Sequence, residues 1–360
     1  CTSLTSITIG NGVTSIGRSA FQSCTSLTSI TIPDGVTSIE NGAFSVCTSL
    51  TSITIPDSVT SIGDSAFGSC TSLTSITFRG VAPTVGANAF LEVADGAVAY
   101  AVGSLSFGES GDDWNGLTVE RILRWTTTDG EVTITRCSTL ATGELVIPDT
   151  IEGKPVTSIA SQAFFFRTNL TSITIPDSVT SIGAGAFAGC SSLTTIEVGG
   201  GNVNYTDVNG VLFNKEKTLL HSYPAGKTGD NYTIPNSVTS IGNVAFRYCI
   251  SLTSITIPDS VTSIGFAAFG GCTSLTNITI PDGVTSIGIY TFLDCTSLTS
   301  ITIPDSVTSI GSFAFFSCAS LTTITIGNGV TSIGYQAFYA CTSLTSITIG
   351  NGVTSIGVGS

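Results

Sequence analysis

Cysteine is the residue type whose spacing in this chain most directly suggests chemistry. Disulfides are not expected, because side chains that point in parallel from successive coils of a repeat rarely meet the dihedral requirement of the bond. The C-x-x-C spacing typical of a zinc site is also missing. We therefore expect a ladder of buried, unpaired thiols that pack as small apolar side chains. Nine cysteines, each three residues after a phenylalanine, form this predicted ladder: Cys24, Cys47, Cys70, Cys190, Cys249, Cys272, Cys295, Cys318 and Cys341.

A single histidine and a set of turn aspartates are the other groups that could do chemistry. His221 has no acid or base partner that stands out from the repeat pattern, so we expect no enzyme activity and no cofactor. Recurring aspartates could line an acidic edge that holds a cation loosely. Three turns at the same place read Gly-Asn-Gly, which favours a plain turn role over a metal site. These aspartates are Asp34, Asp57, Asp177, Asp259, Asp282 and Asp305.

Composition and charge exclude several classes of function. The net charge is −13 and the 11 basic residues form no stripe, so nucleic acid is not an expected partner. Thr, Ser and Gly interrupt every apolar run well before the length of a membrane span, so no membrane insertion is expected. The chain opens on Cys1 in the middle of a repeat and has no signal segment, which indicates a fragment of a longer protein.

A repeat of 23 residues organises the sequence. In the segment LTSITI, alternation places Leu50, Ile53 and Ile55 inward and leaves Ser52 and Thr54 in solvent. A Pro-Asp-Ser turn ends this strand, and the Ser-Ala-Phe segment that follows is expected to begin a short helical or 3₁₀ turn. A phenylalanine follows alanine in each repeat, including Phe90 and Phe164. The predicted structural ladder that fills the interior comprises Phe21, Phe44, Phe67, Phe187, Phe246, Phe269, Phe292, Phe315 and Phe338.

The repeat pattern L-x-x-I-x-I-P-x-x-V-x-x-I-G-x-x-A-F-x-x-C closely resembles the BspA-type leucine-rich repeats of bacterial surface proteins and of some protozoan surface families. The resemblance implies an α/β repeat solenoid, right-handed and rich in β-strands, with short helical or 3₁₀ turns. It also implies a secreted or cell-surface location and non-catalytic binding or adhesion to proteins or glycans.

Two interruptions divide the repeats into six predicted segments. Dipeptides Asp129-Gly130 and Asn209-Gly210 each predict a hairpin within an interruption. The predicted segments are a first array (1–78), an atypical capping coil (79–124), the entry module of a second array (125–155), repeats (156–198), a hairpin insertion (199–234) and further repeats (235–360).

Residues next to the core phenylalanines vary most among the repeat copies, whereas the strand face is nearly constant Ser and Thr. If the chain discriminates among partners, its specificity is expected at these variable positions, because Arg and Tyr are favoured in binding hot spots. The alternative is drift at positions that are free of packing constraint. The candidate partner-binding residues are Phe165, Phe166, Arg247, Tyr248, Ile289, Tyr290, Phe316, Tyr335 and Tyr339.

Two further hypotheses compete with a binding module. The arrays could form a structural stalk that spaces another domain from a surface. Alternatively, regular rows of Ser and Thr, such as Ser52 and Thr54, resemble the ladders of ice-binding proteins. A curved face would spoil the match to an ice lattice, and Thr is in any case a common exposed strand residue.

Overall fold

The computed structural model describes residues 1–104 and 106–360 and divides the chain into two compact units. Unit 1 comprises Cys1–Val132 with Ile147–Val156, and unit 2 comprises Thr133–Val146 with Thr157–Ser360. Both units are built from short β-strands and turns, and no α-helix occurs among the described residues. The predicted repeat solenoid is confirmed, and the six-segment division stays a prediction.

The first 17 strands run from the start of the chain into unit 2. They are β1 (Ser6–Thr8), β2 (Ser15–Ile16), β3 (Ser29–Thr31), β4 (Ser38–Ile39), β5 (Ser52–Ile55), β6 (Ser61–Ile62), β7 (Ser75–Phe78), β8 (Thr84–Val85), β9 (Val98–Ala101), β10 (Asp113–Trp114), β11 (Leu117–Arg121), β12 (Leu123–Thr128), β13 (Glu131–Cys137), β14 (Gly143–Val146), β15 (Thr150–Ile151), β16 (Lys154–Ile159) and β17 (Leu170–Ile175).

The remaining 17 strands lie in unit 2. They are β18 (Ser181–Ile182), β19 (Thr195–Val198), β20 (Tyr205–Val208), β21 (Val211–Asn214), β22 (Leu219–Ser222), β23 (Asn231–Thr233), β24 (Ser240–Ile241), β25 (Ser254–Thr256), β26 (Ser263–Ile264), β27 (Asn277–Ile278), β28 (Ser286–Ile287), β29 (Ser300–Ile303), β30 (Ser309–Ile310), β31 (Thr323–Ile326), β32 (Ser332–Ile333), β33 (Ser346–Ile349) and β34 (Ser355–Ile356).

Each coil contributes a longer and a shorter strand to two separate parallel rows. In unit 1 the rows run β1-β3-β5-β7-β9-β11 and β2-β4-β6-β8, and in unit 2 they include β29-β31-β33 and β28-β30-β32-β34. Equivalent residues pair across coils, so that Ser52 lies opposite Ser75 and Ile53 opposite Ile76. Because most parallel pairings join residues 23 apart, the length of the repeat sets the register of the sheets.

Alternation along the longer strand separates core from surface as the sequence predicts. In β5, Ile53 and Ile55 are buried, whereas Ser52 is exposed and Thr54 is half-buried. The threonine that precedes many of the longer strands adds to the stacking, because its hydroxyl donates to the backbone carbonyl of the equivalent residue one coil earlier, as Thr74 does to Thr51 at 3.2 Å. The coil-to-coil contacts are therefore reinforced outside the strands.

Core phenylalanines stack from coil to coil. In unit 2 the ring of Phe292 lies 5.4 Å from that of Phe269 and 5.2 Å from that of Phe315, with interplanar angles of 7° and 10°. Unit 1 repeats this arrangement, with 5.3 Å between Phe44 and Phe67. A coil alone buries little surface, so the continuous column of rings shows how stacking creates the core.

All eleven cysteines are free thiols, and all but Cys1 and Cys341 are buried. Each thiol of the ladder from Cys47 onward reaches back to a carbonyl of the preceding coil; Cys70, for example, donates to the Phe44 oxygen at 3.1 Å. The same oxygen accepts the backbone N–H of Cys47 at 3.2 Å. Burial raises the pKa of Cys190 to about 11 and that of Cys272 to about 12, so these thiols stay protonated and unreactive.

The segment around each core phenylalanine is a run of tight turns, whereas a short helical or 3₁₀ turn was expected. Ser65 and Ser69 have φ values of 52° and 59°, two residues on either side of Phe67. With this backbone conformation, every second N–H of the segment is directed at the next coil. The N–H groups of Ser65, Phe67 and Ser69 therefore donate to the backbone carbonyls of Ala87, Ala89 and Leu91. A helix would use those donors within its own turn, which would break the bonding between coils.

Unit 1 ends its row of strands with an aromatic cluster. Strand β10 pairs antiparallel with β11, and Trp114 then contacts Phe78, Phe90 and Phe107 at ring distances of 5.1, 6.0 and 4.8 Å. The turn at Asp129-Gly130 has positive φ at both residues, as predicted for a tight hairpin turn.

The second interruption is a hairpin, as its Asn209-Gly210 dipeptide predicts. Strands β20 and β21 pair antiparallel, and both turn residues have positive φ. Strand β22 then pairs parallel with β24, which returns the chain to the row of shorter strands. The buried amide of Asn202 donates to the carbonyls of Pro176 and Val179, both at 2.9 Å, and so ties the insertion to the preceding coil.

Candidate binding surface

The most variable residues lie on the turns that surround each core phenylalanine. The second residue before and the second residue after that phenylalanine have left-handed backbone in every coil. Most side chains at these two positions are exposed or half-buried, whereas the Ala-Phe pair between them is buried in most coils. This surface is therefore where the solenoid can present differing chemistry.

Four of the predicted partner-binding residues come together in unit 2 and form what we call the Arg–aromatic cluster: Phe165, Phe166, Arg247 and Tyr248. The Phe166 ring lies 4.9 Å from that of Tyr248 and 4.4 Å from that of Phe165. The Arg247 guanidinium lies 5.0 Å from the Tyr248 ring centroid and donates to its hydroxyl at 3.2 Å. Such cation–π contacts hold a charged group against an aromatic face.

Glycines in neighbouring coils make room for this cluster. A Cβ on Gly189 would lie 2.8 Å from the Phe166 ring, and one on Gly271 would lie 2.5 Å from the Tyr248 ring. Both aromatic residues have left-handed backbone, with φ values of 55° and 63°. Bulky residues rarely adopt this conformation, which makes their presence at two such positions a feature that repeat packing alone does not require.

Six further aromatic residues form a continuous line over four coils of unit 2, which we call the aromatic stripe: Phe266, Tyr290, Phe313, Phe316, Tyr335 and Tyr339. Ring centroids are 5.6 Å apart for Phe266–Tyr290 and 5.0 Å apart for Tyr290–Phe313. The line continues from Phe313 to Tyr335 at 5.3 Å and to Phe316 at 5.8 Å. Tyr339 closes it, 5.2 Å from Phe316.

Exposure distinguishes this stripe from the aromatic core beneath it. Phe266, Tyr335 and Tyr339 are 43%, 47% and 50% exposed and the other three members are half-buried, while the neighbouring core residue Phe315 is fully buried. Exposed aromatic side chains in a contiguous line are a common mark of a binding site.

Eight of the nine predicted partner-binding residues lie in the Arg–aromatic cluster or the stripe. The ninth, Ile289, is exposed beside Tyr290 in sequence. Sequence reasoning missed Phe266 and Phe313, which supply two of the contacts that make the stripe continuous. Their aromatic character at variable positions was the signal that could have identified them.

Unit 1 carries no aromatic residue at the corresponding positions. In its four coils the third and second residues before the core phenylalanine, and the first and second after it, are small, polar or aliphatic. These residues are Arg18, Ser19, Gln22 and Ser23; Asn41, Gly42, Ser45 and Val46; Asp64, Ser65, Gly68 and Ser69; and Ala87, Asn88, Leu91 and Glu92. The repeat therefore folds without aromatic residues on this surface.

Three of the six turn aspartates have structural partners. Asp305 accepts the backbone N–H of Asn328 in the next coil at 2.6 Å, and Asp177 accepts that of Gly201 at 3.0 Å. Asp34 pairs with Arg79 at 3.4 Å. Among the described residues, no group of three or more His, Cys, Asp or Glu side chains is placed to hold a metal ion.

His221 and Tyr205 of the insertion take over backbone bonds of strand β18. The Ile182 N–H donates to the Tyr205 hydroxyl at 2.9 Å, and His221 Nε2 lies 3.0 Å from the Ile182 carbonyl oxygen. Because a carbonyl only accepts, Nε2 carries the proton, and buried Nδ1 is left with a lone pair and no partner in the described part of the chain. The histidine therefore serves the fold as a neutral donor.

Protonation of His221 is expected to destabilise unit 2. Burial lowers the pKa of this imidazole below its usual 6.5, so the unfolded chain binds the proton more readily. The contribution of the neutral His221 imidazole to the free energy of unfolding is complete above pH 6.5. It is lost as the pH falls through the lower pKa of the folded state. As this is the only histidine, its imidazole NMR signals report the titration directly.

The control for this prediction is His221→Gln, whose amide can still donate to the Ile182 carbonyl but does not titrate. Thermal unfolding between pH 7 and pH 5 should show a smaller loss of stability in this variant than in the natural chain. Equal losses in the two proteins would contradict the assignment.

A family model described as the BspA-type leucine-rich repeat region matches six copies in the chain, at residues 1–95, 142–221, 225–304 and 262–360. No curated protein matches. Among the described residues, no helix is long and apolar enough to cross a membrane.

Solved structures of bacterial leucine-rich-repeat proteins are similar to the chain. A leucine-rich cell surface protein from Faecalibacterium prausnitzii is 30% identical, with a TM-score of 0.53 over 87% of this chain and 83% of its own. A leucine-rich-repeat protein from Eubacterium ventriosum (24% identity, TM-score 0.50, coverage 93% and 82%) shares the fold. The pneumococcal vaccine antigen PcpA also shares the fold, with 23% identity and a TM-score of 0.50 over 95% of this chain and 75% of its own. The chain thus belongs to the BspA-type leucine-rich-repeat family.

Proposed function

We propose that the chain is a non-catalytic binding module at a bacterial cell surface, and that it contacts its partner, a protein or a glycan, through unit 2. The contact surface comprises the aromatic stripe and the Arg–aromatic cluster. One observation carries the proposal: exposed aromatic side chains gather on the variable turns of unit 2, whereas the same turns of unit 1 have none.

The chemistry of these residues supports a contact role. Tyr and Arg dominate the hot spots of protein interfaces because they combine a large apolar area with a polar end. Tyr248 and Arg247 provide both in one cluster, with the guanidinium already placed against the ring. A pre-formed arrangement of this kind loses little conformational entropy when a partner binds.

The cell-surface location is supported by the relatives. The similar protein from Faecalibacterium prausnitzii is described as a cell surface protein.

A binding survey of the full chain against extracellular-matrix proteins and a glycan array tests the proposal. The variants are Arg247→Ala with Tyr248→Ala, and Tyr335→Ala with Tyr339→Ala. We expect saturable binding that at least one pair weakens about tenfold or more, equivalent to about 1.4 kcal/mol. Val81→Ala, on the exposed surface of unit 1, is the control and should bind as the natural chain does.

Two results would contradict the proposal. If no ligand binds, the structural stalk becomes the better account. If a ligand binds but neither variant pair weakens it, the contact surface lies elsewhere.

A further inference from the structure

We propose that unit 1 carries a further binding site, at which an extended, positively charged peptide segment of a partner protein docks. The site lies where the regular coils of unit 1 end, and all the residues that line it belong to unit 1. It shares no residue with the aromatic stripe or the Arg–aromatic cluster. The inference therefore goes beyond the proposed function and does not depend on it.

The turns of unit 1 end in a row of unpaired backbone donors. In each of the first three coils, the core phenylalanine and the residues two before and two after it donate N–H bonds of 2.7–3.0 Å to backbone carbonyls of the next coil. The fourth coil keeps the same backbone conformation, with a φ of 58° at both Asn88 and Glu92. In the described part of the chain, however, the N–H groups of Asn88, Phe90 and Glu92 have no partner. We call these three groups the open edge.

The sequence explains why no further turn covers the open edge. The residue 23 positions after Phe90 is Asp113, and no Ala-Phe pair occurs between Phe90 and Phe164. Strands β9 and β11 nevertheless continue the row of longer strands, and Trp114 lies 6.0 Å from the ring of Phe90. The core is thus closed by an aromatic side chain, while the backbone donors above it stay available, as they do at the edge of an open sheet.

The residues of the open edge line a cleft of about 510 Å³, which is a volume typical of ligand-binding clefts. The turn Asn115-Gly116, between β10 and β11, also contributes to the lining. An extended peptide directs the carbonyls of alternate residues to the same side, and the three donors of the open edge are likewise on alternate residues. One such peptide can therefore accept all three hydrogen bonds, as when a strand is added to a sheet edge.

The space beside the open edge is not filled by side chains of the described residues. A Cβ on Gly96 or Gly116, both in the lining of the cleft, would meet no atom within 4 Å. The interruption in unit 2 differs in this respect, because a Cβ on Gly185 would lie 2.9 Å from the side chain of Val244 in the next regular coil. Only the edge in unit 1 therefore combines unpaired donors with room for a second chain.

The charge of the cleft favours a basic peptide. Glu92 and Asp95 are both exposed, and they are the only charged residues among the described residues that line the cleft. A Lys or Arg side chain of a bound peptide meets these carboxylates, whereas an acidic segment is repelled by them and by the net charge of −13. Leu91, which is 55% exposed beside the open edge, offers an apolar contact to a neighbouring side chain of the peptide.

Selection of twelve-residue peptides displayed on phage against the full chain, followed by hydrogen–deuterium exchange, tests the inference. Synthetic copies of the enriched peptides are the probes, and heparin is run in parallel as an anionic probe. The segment 87–96 occurs only once in the sequence, so its exchange is measured separately from that of the repeats. Unpaired, exposed amides exchange fast, which makes protection by a bound peptide easy to detect.

Neutral variants separate a specific charge contact from general attraction to an acidic protein. Glu92→Gln with Asp95→Asn removes both carboxylates, and the glutamine oxygen can still accept the Ser69 hydroxyl, which donates to Glu92 at 2.7 Å. Asp259→Asn with Asp282→Asn makes the same change in net charge at two exposed turn residues of unit 2 and is the control.

We expect the enriched peptides to carry Lys or Arg and, at saturation, to slow amide exchange within residues 88–92 about tenfold or more. Their affinity should fall about tenfold or more in Glu92→Gln with Asp95→Asn and stay unchanged in the control. Enrichment of no peptide or of acidic peptides only would overturn the inference. So would protection of another segment, unchanged affinity in the neutral cleft variant, or protection of residues 88–92 by heparin. The proposed function is tested by the variants of unit 2 and stands or falls separately.

Discussion

Replacement of Phe292 by alanine is expected to lower the free energy of unfolding by about 3–5 kcal/mol. The ring is fully buried and stacks between Phe269 and Phe315, so its removal opens a cavity in the middle of the column. Backbone bonds hold the neighbouring coils at a fixed spacing, which prevents the cavity from closing. Urea unfolding followed by circular dichroism measures the change.

Phe266→Ala is the matched control for this prediction, because it removes the same atoms from an exposed ring of the preceding coil. A loss within about 0.5 kcal/mol is expected there, as for most surface substitutions. Similar losses for the two variants would show that the aromatic column does not carry the stability of unit 2.

Replacement of Gly334 by alanine is expected to cost about 1–3 kcal/mol by overpacking. A Cβ at this position would lie 2.4 Å from the backbone nitrogen of Ser312 and 2.6 Å from the carbonyl carbon of Gly311. Both atoms are in the backbone of the preceding coil, so neither can move without disturbing the parallel pairing of β30 with β32. Thermal unfolding measures the loss.

Gly17→Ala provides the control, because Gly17 has the same Ser-Ile-Gly context and a Cβ there would meet no atom within 4 Å. Without a clash, alanine should be neutral or stabilise by about 0.4–1 kcal/mol through the unfolded chain. In the second coil this position is Glu40, so a side chain can be accommodated there. We therefore expect the loss of stability caused by alanine to depend on the local spacing between coils. Equal losses at both glycines would contradict the role of close coil contact.

The repeat made the core predictable from sequence. A step of 23 residues identified Phe292 and its equivalents as one column, and alternation in LTSITI identified Ile53 and Ile55 as buried. Both inferences need only the period of a β-strand and the fact that equivalent residues stack.

The backbone conformation of the turns could not be predicted from the sequence in the same way. Left-handed backbone at Ser65 and Ser69 has no signature in sequence, because serine is not a residue that requires positive φ. The Ser-Ala-Phe segment therefore resembles a helical start, while bonding to the next coil selects alternating turns. Hydrogen bonds between distant residues decided the local structure.

The candidate site was predictable in part. Variation among copies identified Tyr290 and Tyr335, yet the stripe depends on contacts between residues at different offsets from the core phenylalanine. Phe266 lies three residues before its core phenylalanine and Tyr290 lies two before, and their rings are 5.6 Å apart. Such a contact becomes visible only when the coils are stacked in space.

Comparison of two faces of unit 2 tests the central claim most directly. The stripe variant Tyr290→Ser with Phe313→Ser is compared with the strand-face variant Thr302→Val with Thr325→Val, whose residues pair across β29 and β31. The Kd of each variant is measured for a ligand that binds the natural chain. We predict a loss of about tenfold or more for the stripe variant and no change for the strand-face variant. The reverse result would place binding on the Ser and Thr rows and contradict the account.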